Sequence, residues 1–421
     1  MNIQYKLKYP NLKKDIEIKK IIHSITDRNI IKNIQISKLN YTWSYSYSKY
    51  SFYKKIKQIY NLPDYIENIE QLKTFPIMNK NLIKKYYKSI ISESDYKNIS
   101  QTGGTSGSFV GFPTNFNDQY FNILRTFFYR NYIHQINSNK CLYIWGHSHK
   151  FGSFLKKYKN IAINNFKDFV NNRERINAYD LSHNHLNQIY KKIIKNKIET
   201  IIVYGSTLEV ILDYFKLNDY IINQPIKIIV TSDNISSFHI QKFSKIFLNS
   251  LLINEYGMAE TGVIGYSKFN FNSFNIFWDD FILEPNNNKL LITTLNSTCF
   301  PLFRYDPDDT INESYDKYPI FLLKGLVGKV RPNIEFINND KKFSTVIFDH
   351  ILKNHNKITD FQYSFKGNKF KILYQSNQNL DKDLKDKITK ILKFDITNKI
   401  EILKKNNLSK TIAGKRMLIL S

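Results

Sequence analysis

The sequence predicts an α/β protein: a large multi-layer α/β domain with an antiparallel section, followed by a small α+β domain. Three observations predict it. Between residues 141 and 253, short β-branched runs alternate with segments of helical period. From 274 to 305, strand-like runs follow one another with no helix between them. Beyond 328 the pattern reads as a hairpin, a helix and a strand, set apart from what precedes it.

Taken in order, residues 1–100 carry Lys- and Tyr-rich segments of helical spacing, broken at Leu62-Pro63 and Phe75-Pro76. A helix is expected over 119–132 and a strand over 141–145. Leu186, Ile189, Tyr190, Ile193 and Ile194 recur at helical spacing, and TIIVY at 200–204 reads as a buried strand. A helix at 208–215, a strand at 226–231, a helix at 238–248 and an apolar run at 251–253 complete the alternation, which favours parallel strands. FNIFWDDFIL and KLLITTL supply the antiparallel section. Residues 360–375 form a hairpin pattern around Gly367-Asn368, 380–394 an amphipathic helix and 399–403 a short strand. The glycines of 325–331 place the boundary there, giving domains at 1–327 and 328–421.

Composition narrows the function classes. At 42% hydrophobic and 15% aromatic residues, 421 residues can bury a substantial core. A formal charge of +26 invites comparison with nucleic-acid binders. The lysines are spread along the whole chain, however, and no Arg/Lys block, zinc-finger spacing or aromatic RNA-binding signature occurs. Nucleic acid is not the expected partner. Cys141 and Cys299 are too few for a disulfide framework or a metal cluster, and a reduced thiol fits both. The opening residues lack an apolar signal core, and no apolar run spans a bilayer, so a cytoplasmic protein is expected.

Four short stretches can carry chemistry. QTGGTSGS at 101–108 concentrates three of the chain's 14 glycines with hydroxyls from Thr102, Thr105, Ser106 and Ser108. Gly103, Gly104 and Gly107 let backbone approach an anion closely, although such a loop also serves as a plain turn. NEYGMAETG at 254–262 places Glu260 just past an apolar run, where a carboxylate can ligate Mg²⁺ or simply form a salt bridge. PLFRYDPDD at 301–309 offers the Arg304 fork to an anion and Asp309 to sugar hydroxyls, or else an acidic turn with an ordinary ion pair. SKTIAGKR at 409–416 puts Lys415 after a glycine. His147 and His149 are too isolated from acidic partners to suggest a metal pair.

The order of these stretches resembles the adenylate-forming superfamily, and within it the phenylacetate–CoA ligase branch with relatives from capsular-polysaccharide loci. TGGTSG at 102–107 resembles that family's phosphate loop, YGMAE at 256–260 its YGxxE, and PLFRYDPDD at 301–309 its P(L/I)xRYRTGD. FPIMNKNLIKK at 75–85, VYGSTLEVILDYFK at 203–216, IVTSDN at 229–234 and GKVRPNIEFINNDKKFS at 328–344 are similar to further family segments. The likeness covers most of residues 50–421.

The resemblance implies ATP-dependent formation of an acyl-AMP from a small carboxylic acid, with release of pyrophosphate. A nucleophile would then displace AMP, with CoA as the implied acceptor and a sugar or amine as alternatives. It implies that Thr102, Gly103, Gly104, Thr105, Ser106 and Gly107 hold the β- and γ-phosphates and that Glu260 holds Mg²⁺. Tyr256 and Gly257 would meet adenine, Ser232 and Asp233 would border the base, and Asp309 would bind the ribose. Lys415, Glu260 and Arg304 would act in catalysis, and Lys329, one of the nucleotide-binding residues, would mark the hinge of a mobile small domain. Departures stand beside these: Ala259 for Thr or Ser, Lys329 for Arg, Asn333 for Asp, Asp306-Pro307-Asp308 for Arg-Thr-Gly, and SFVGFP after the loop. An acyl-protein synthetase and a non-catalytic basic binder with the same fold are the alternative functions.

Overall fold

Asparagine and aspartate set where several helices begin. Asp27 accepts the N–H groups of Asn29 and Ile30 at the start of α2, Arg28–Lys49, which follows α1, Leu12–His23. After α3, Ser51–Ile59, Asn68 caps a 3₁₀ turn, and Asn79 caps α4, Lys80–Lys85, which leads into α5, Tyr87–Glu93. Asn115 and Asp118 form a reciprocal capping box at the start of α6, Phe116–Phe127. Each such side chain satisfies backbone donors that the first helical turn leaves unpaired.

The computed structural model describes residues 8–101, 111–136, 140–145, 168, 172–178, 181–232, 235, 237–287, 289–297, 299–311, 319–327, 333–336, 341–344, 348, 351–352, 355, 357–366, 369–392, 400–408 and 419–420. These fall into two compact units. The first draws on Met1–Thr102, Val110–Ser138 and Leu252–Gly328, the second on Asn139–Leu251 and Lys329–Ser421.

The first unit packs α1–α6 with antiparallel strands. Its hydrophobic centre is strongly aromatic: Trp43, Tyr50, Phe52, Tyr53, Phe75, Phe300, Phe303 and Tyr305 share one buried cluster. Buried tyrosine and tryptophan need partners for their polar ends. Tyr50 and Tyr53 donate to the carbonyls of Cys299 and Pro301, and the Trp43 indole N–H donates to Pro63 at 2.8 Å. Strand β1, Asn98–Gln101, pairs antiparallel with β2, Gly111–Thr114, with Gln101 opposite Gly111. The ends of the Gly/Ser/Thr loop are therefore held side by side. The expected antiparallel section is present: Gly262–Ser267 pairs with Ser273–Ile276, and Phe281–Asn286 with Lys289–Thr294.

The second unit contains the parallel strands. Cys141–Trp145 lies between Arg173–Asn177 and Thr200–Tyr204, and Lys227–Thr231 pairs with the latter. Helices His183–Lys195, Gly205–Leu217 and Ser237–Ile246 alternate with these strands in sequence. Leu186, Ile189 and Ile193 are the buried residues of the first, at the expected spacing. The later part of this unit has a hairpin of Ile358–Lys366 with Lys369–Ser376, the parallel strand Ile400–Lys404 and the helix Asp381–Leu392. The turn at Gly367-Asn368 lies outside the described residues.

Candidate functional site

The segment that carries Glu260 is a hairpin. The strand Leu251–Met258 runs further than its apolar start suggests and pairs antiparallel with Gly262–Ser267. The register shifts between Tyr256 and Gly257, a bulge that only a small residue fits: a Cβ on Gly257 would lie 2.7 Å from the Gly262 carbonyl oxygen. Residues 259–261 form the turn, and Gly262 closes it at φ +71°, a left-handed conformation suited to glycine. Glu260 thus stands at the tip of a rigidly paired hairpin, half-buried.

The RYDPDD segment is anchored against residues 73–78. Met78 donates its N–H to the Arg304 carbonyl at 3.1 Å, and Asp306 donates to the Met78 carbonyl at 2.8 Å. The Arg304 guanidinium is engaged inside the protein: Nε donates to Glu284 at 3.1 Å, and one terminal nitrogen donates to the carbonyls of Lys73 and Phe75 at 3.0 and 2.8 Å. Burial pushes the Glu284 carboxyl up, with Arg304 opposing it. The departure at 306–308 has a local reason. Asp306 is buried against the Lys289 ammonium and accepts the Asp308 N–H at 2.8 Å, which closes a turn with Asp308 at φ +69°.

These two segments are cross-tied. The Tyr256 hydroxyl donates to Asp309 Oδ2 at 2.9 Å, and the Tyr305 hydroxyl donates to Glu260 Oε1 at 2.9 Å. Each segment contributes one tyrosine and, four residues later, one carboxylate. Burial raises both tyrosine pKa values well above the ordinary range, and the adjoining carboxylates raise them further. Both hydroxyls therefore stay protonated and act as donors. Among the described residues Glu260 has no ion-pair partner.

A cavity of about 300 Å³ opens beside Glu260 within the first unit. Its walls come from β1 and β2 (Ser100, Thr114), from α6 (Asn122, Arg125), from the Glu260 turn, and from Asp280 and Asn296. A set of buried charges lies at its edge. Lys19 of α1 pairs with Asp279 at 2.8 Å and Asp280 at 3.0 Å, and Arg125 pairs with Asp280 at 3.2 Å. His23 adds a contact to Asp279 at 2.8 Å. Burial pushes the Asp279 carboxyl up, but Lys19, His23 and Lys38 outweigh it and hold the group well below the carboxylate range.

Tyr256, Gly257, Glu260, Arg304 and Asp309 accordingly lie together in the first unit, in segments tied to each other. Ser232 lies in the second unit, exposed at the end of the strand Lys227–Thr231 with φ +73°. Thr102, Gly103, Gly104, Thr105, Ser106, Gly107, Asp233, Lys329 and Lys415 lie outside the described residues. Sequence reasoning passed over Tyr305, Arg125, Lys19, Asp279 and Asp280. The signal for the aspartates was legible: two carboxylates inside the apolar run FNIFWDDFIL must find cations if buried.

No protein-family model matches the chain, and no curated protein matches its sequence. Solved structures match its shape. 2-Hydroxyisobutyryl-CoA ligase, in complex with 2-HIB-AMP and CoA in the thioesterification state, superposes with a TM-score of 0.58 at 10% identity, over 94% of this chain and 91% of that one. The same ligase in the postadenylation state with R3-HIB-AMP gives 0.53 at 9% identity, over 92% and 89%. The chain has the fold of this ligase. That bears out the expected fold class, and the likeness extends over nearly the full length of both chains. Among the described residues, no helix is long and apolar enough to cross a membrane.

Proposed function

We propose that this protein activates a small carboxylic acid with ATP and passes the acyl group on, with CoA as the acceptor, as in the phenylacetate–CoA ligase branch. In the first step a carboxylate oxygen attacks the α-phosphorus and the bond to the β-phosphate breaks, leaving acyl-AMP and pyrophosphate. In the second, a thiolate attacks the acyl carbon and AMP departs with the bonding pair. The observation that carries this reading is Glu260: a carboxylate fixed by a neutral tyrosine, with no ion-pair partner among the described residues, beside a cavity bordered by the strands that flank the Gly/Ser/Thr loop. Its negative charge is arranged for a cation that arrives with the substrate.

The donor set fits Mg²⁺. Among the described residues no group of three His, Cys, Asp or Glu side chains could hold a resident ion, and Mg²⁺ is commonly held by one or two carboxylates with substrate phosphates completing its shell. Glu260 would hold it, and the ion would neutralise charge on the phosphates. Thr102, Gly103, Gly104, Thr105, Ser106 and Gly107 would hold the phosphates through amides and hydroxyls, which withdraw charge from the breaking bond. Asp309, oriented by Tyr256, would accept ribose hydroxyls. Gly257, Ser232 and Asp233 would line the base, and Lys415, on a small mobile domain of residues 328–421 hinged at Lys329, would stabilise the reacting oxygens. We assign Arg304 to anchoring the RYDPDD segment, since its guanidinium is engaged by Glu284 and two carbonyls. A role in decorating surface polysaccharide would follow if the acceptor were a sugar.

The test is ATP–pyrophosphate exchange by the purified chain across a panel of carboxylic acids with and without Mg²⁺. Acid- and Mg²⁺-dependent exchange is expected, abolished in Lys415→Ala. Silence across a broad panel would sink the proposal.

A further inference from the structure

The cluster that joins α1, α6 and the residues after the Glu260 turn does more than neutralise charge. Arg125 and Asn122, three residues apart on α6, face the turn together. Arg125 donates to the Thr261 carbonyl at 2.8 Å, directly after Glu260, and Asn122 accepts the Val263 N–H at 2.9 Å. The fit is close: a Cβ on Gly262 would lie 2.2 Å from the Asn122 amide oxygen. Helix α6 begins one residue after β2, on the Asn115–Asp118 capping box. A single rigid element therefore links the strand leaving the Gly/Ser/Thr loop to the turn that presents Glu260.

Arg125 is aimed by its other contacts. Arg125 is 4% exposed, and its guanidinium pairs with Asp280 at 3.2 Å and lies 4.9 Å over the Phe281 ring. Asp280 is in turn fixed by Lys19 at 3.0 Å and by the Asn296 amide. Lys19 is not among the residues lining the cavity, and its ammonium donates to Asp279 and Asp280. Buried ion pairs of this kind add little net stability over apolar packing, but they hold donors in one direction. The direction fixed here ends on the Thr261 carbonyl.

We infer that Lys19, Asp280 and Arg125 form a positioning relay that sets the Glu260 turn, with Asn122 as its second hold. This rests on the proposal that Glu260 holds the metal–phosphate complex. Outer partners of metal-holding side chains commonly change metal affinity or activity by about 10- to 100-fold when removed.

The experiment uses the full chain with Arg125→Gln, Arg125→Lys, Lys19→Met and, as control, Tyr120→Phe. Tyr120 also bridges α6 to α1, through Asp15, but stands outside the relay. Two readouts are taken: amide hydrogen exchange of residues 259–263, which needs no activity, and the Mg²⁺ concentration giving half-maximal ATP–pyrophosphate exchange. Arg125→Gln is expected to speed amide exchange in 259–263 and raise the Mg²⁺ requirement about tenfold or more. Lys19→Met should shift both in the same direction and less. Arg125→Lys should recover part of each, and Tyr120→Phe should leave both at wild-type values. If Arg125→Gln does not fold, Lys19→Met and Arg125→Lys carry the same test. An inactive wild type sinks the reading of Glu260 on which the relay rests. An active wild type whose relay variants keep normal Mg²⁺ dependence and normal exchange at 259–263 sinks the relay alone. So does a Tyr120→Phe variant that matches them.

Discussion

Asp280 and Glu260 line the same cavity and are held by opposite means. Asp280 is buried and saturated: Lys19, Arg125 and the Asn296 amide all point at it. Glu260 is half-buried and receives one neutral hydroxyl, from Tyr305. A tyrosine fixes a carboxylate without cancelling its charge, whereas a lysine and an arginine fix it by cancelling it. The first arrangement suits a group that must meet an incoming cation, and the second suits a structural joint.

The largest effect that separates the two is expected at Asp280. Asp280→Asn removes the charge facing Arg125 and part of that facing Lys19, and breaking a buried ion pair costs about 3–5 kcal/mol. Urea unfolding should show it as a lower midpoint. Glu260→Gln keeps an acceptor for Tyr305 and should change stability by less than about 0.5 kcal/mol. Its effect belongs in catalysis: Mg²⁺-dependent ATP–pyrophosphate exchange should fall about 100-fold, equivalent to about 2.7 kcal/mol. An unfolding defect in Glu260→Gln, with Asp280→Asn stable, would reverse the comparison.

A smaller effect sharpens it. Tyr305→Phe removes the hydroxyl that orients Glu260 while leaving the ring in the aromatic core, where it meets Phe112 with centroids 5.7 Å apart. A hydrogen bond to a charged group contributes about 1.5–3 kcal/mol. Glu260 can recover some of that from water, so the lower end is expected in unfolding. Exchange activity should drop about tenfold, with a raised Mg²⁺ requirement. An unchanged Mg²⁺ dependence would mean that the tyrosine does not aim Glu260.

Much of this was legible in the residues. Helix and strand periods located the helix Asp381–Leu392, the parallel strands and the hairpin of Ile358–Lys366 with Lys369–Ser376 to within a few positions, because burial imposes those periods directly. YGMAE and RYDPDD stood out as unusual segments. Their cross-tie did not, because Tyr256–Asp309 and Tyr305–Glu260 span 53 and 45 residues, and no local period encodes a long-range hydrogen bond. Arg304 was hidden for the same reason. A fork drawn for an anion looks the same in sequence as one drawn for Glu284 and the carbonyls of Lys73 and Phe75. The strand runs on to Met258, past its apolar start, because residues 255–258 pair with 262–266 across a bulge at Gly257 that no local period encodes.

The smallest effect concerns pH, and it tests whether Asp279 is charge-paired as the structure has it. Lys19, His23 and Lys38 overcome burial and hold the Asp279 carboxyl well below its unfolded value, which is about 3.9 for aspartate. A depressed folded pKa contributes stability above the unfolded pKa and loses it as pH falls through the folded one. The advantage of wild type over Asp279→Asn should therefore stay flat between about pH 7 and pH 5 as far as the carboxyl alone is concerned. It should shrink only below about pH 4. Chemical denaturation of both proteins across that range gives the difference directly. A gap that closes already near pH 6 would mean that the Asp279 carboxyl is not held below its unfolded value, and would overturn the pairing. A gap absent at neutral pH would mean that Asp279 contributes nothing as a charge, and that the joint is held by Asp280 alone.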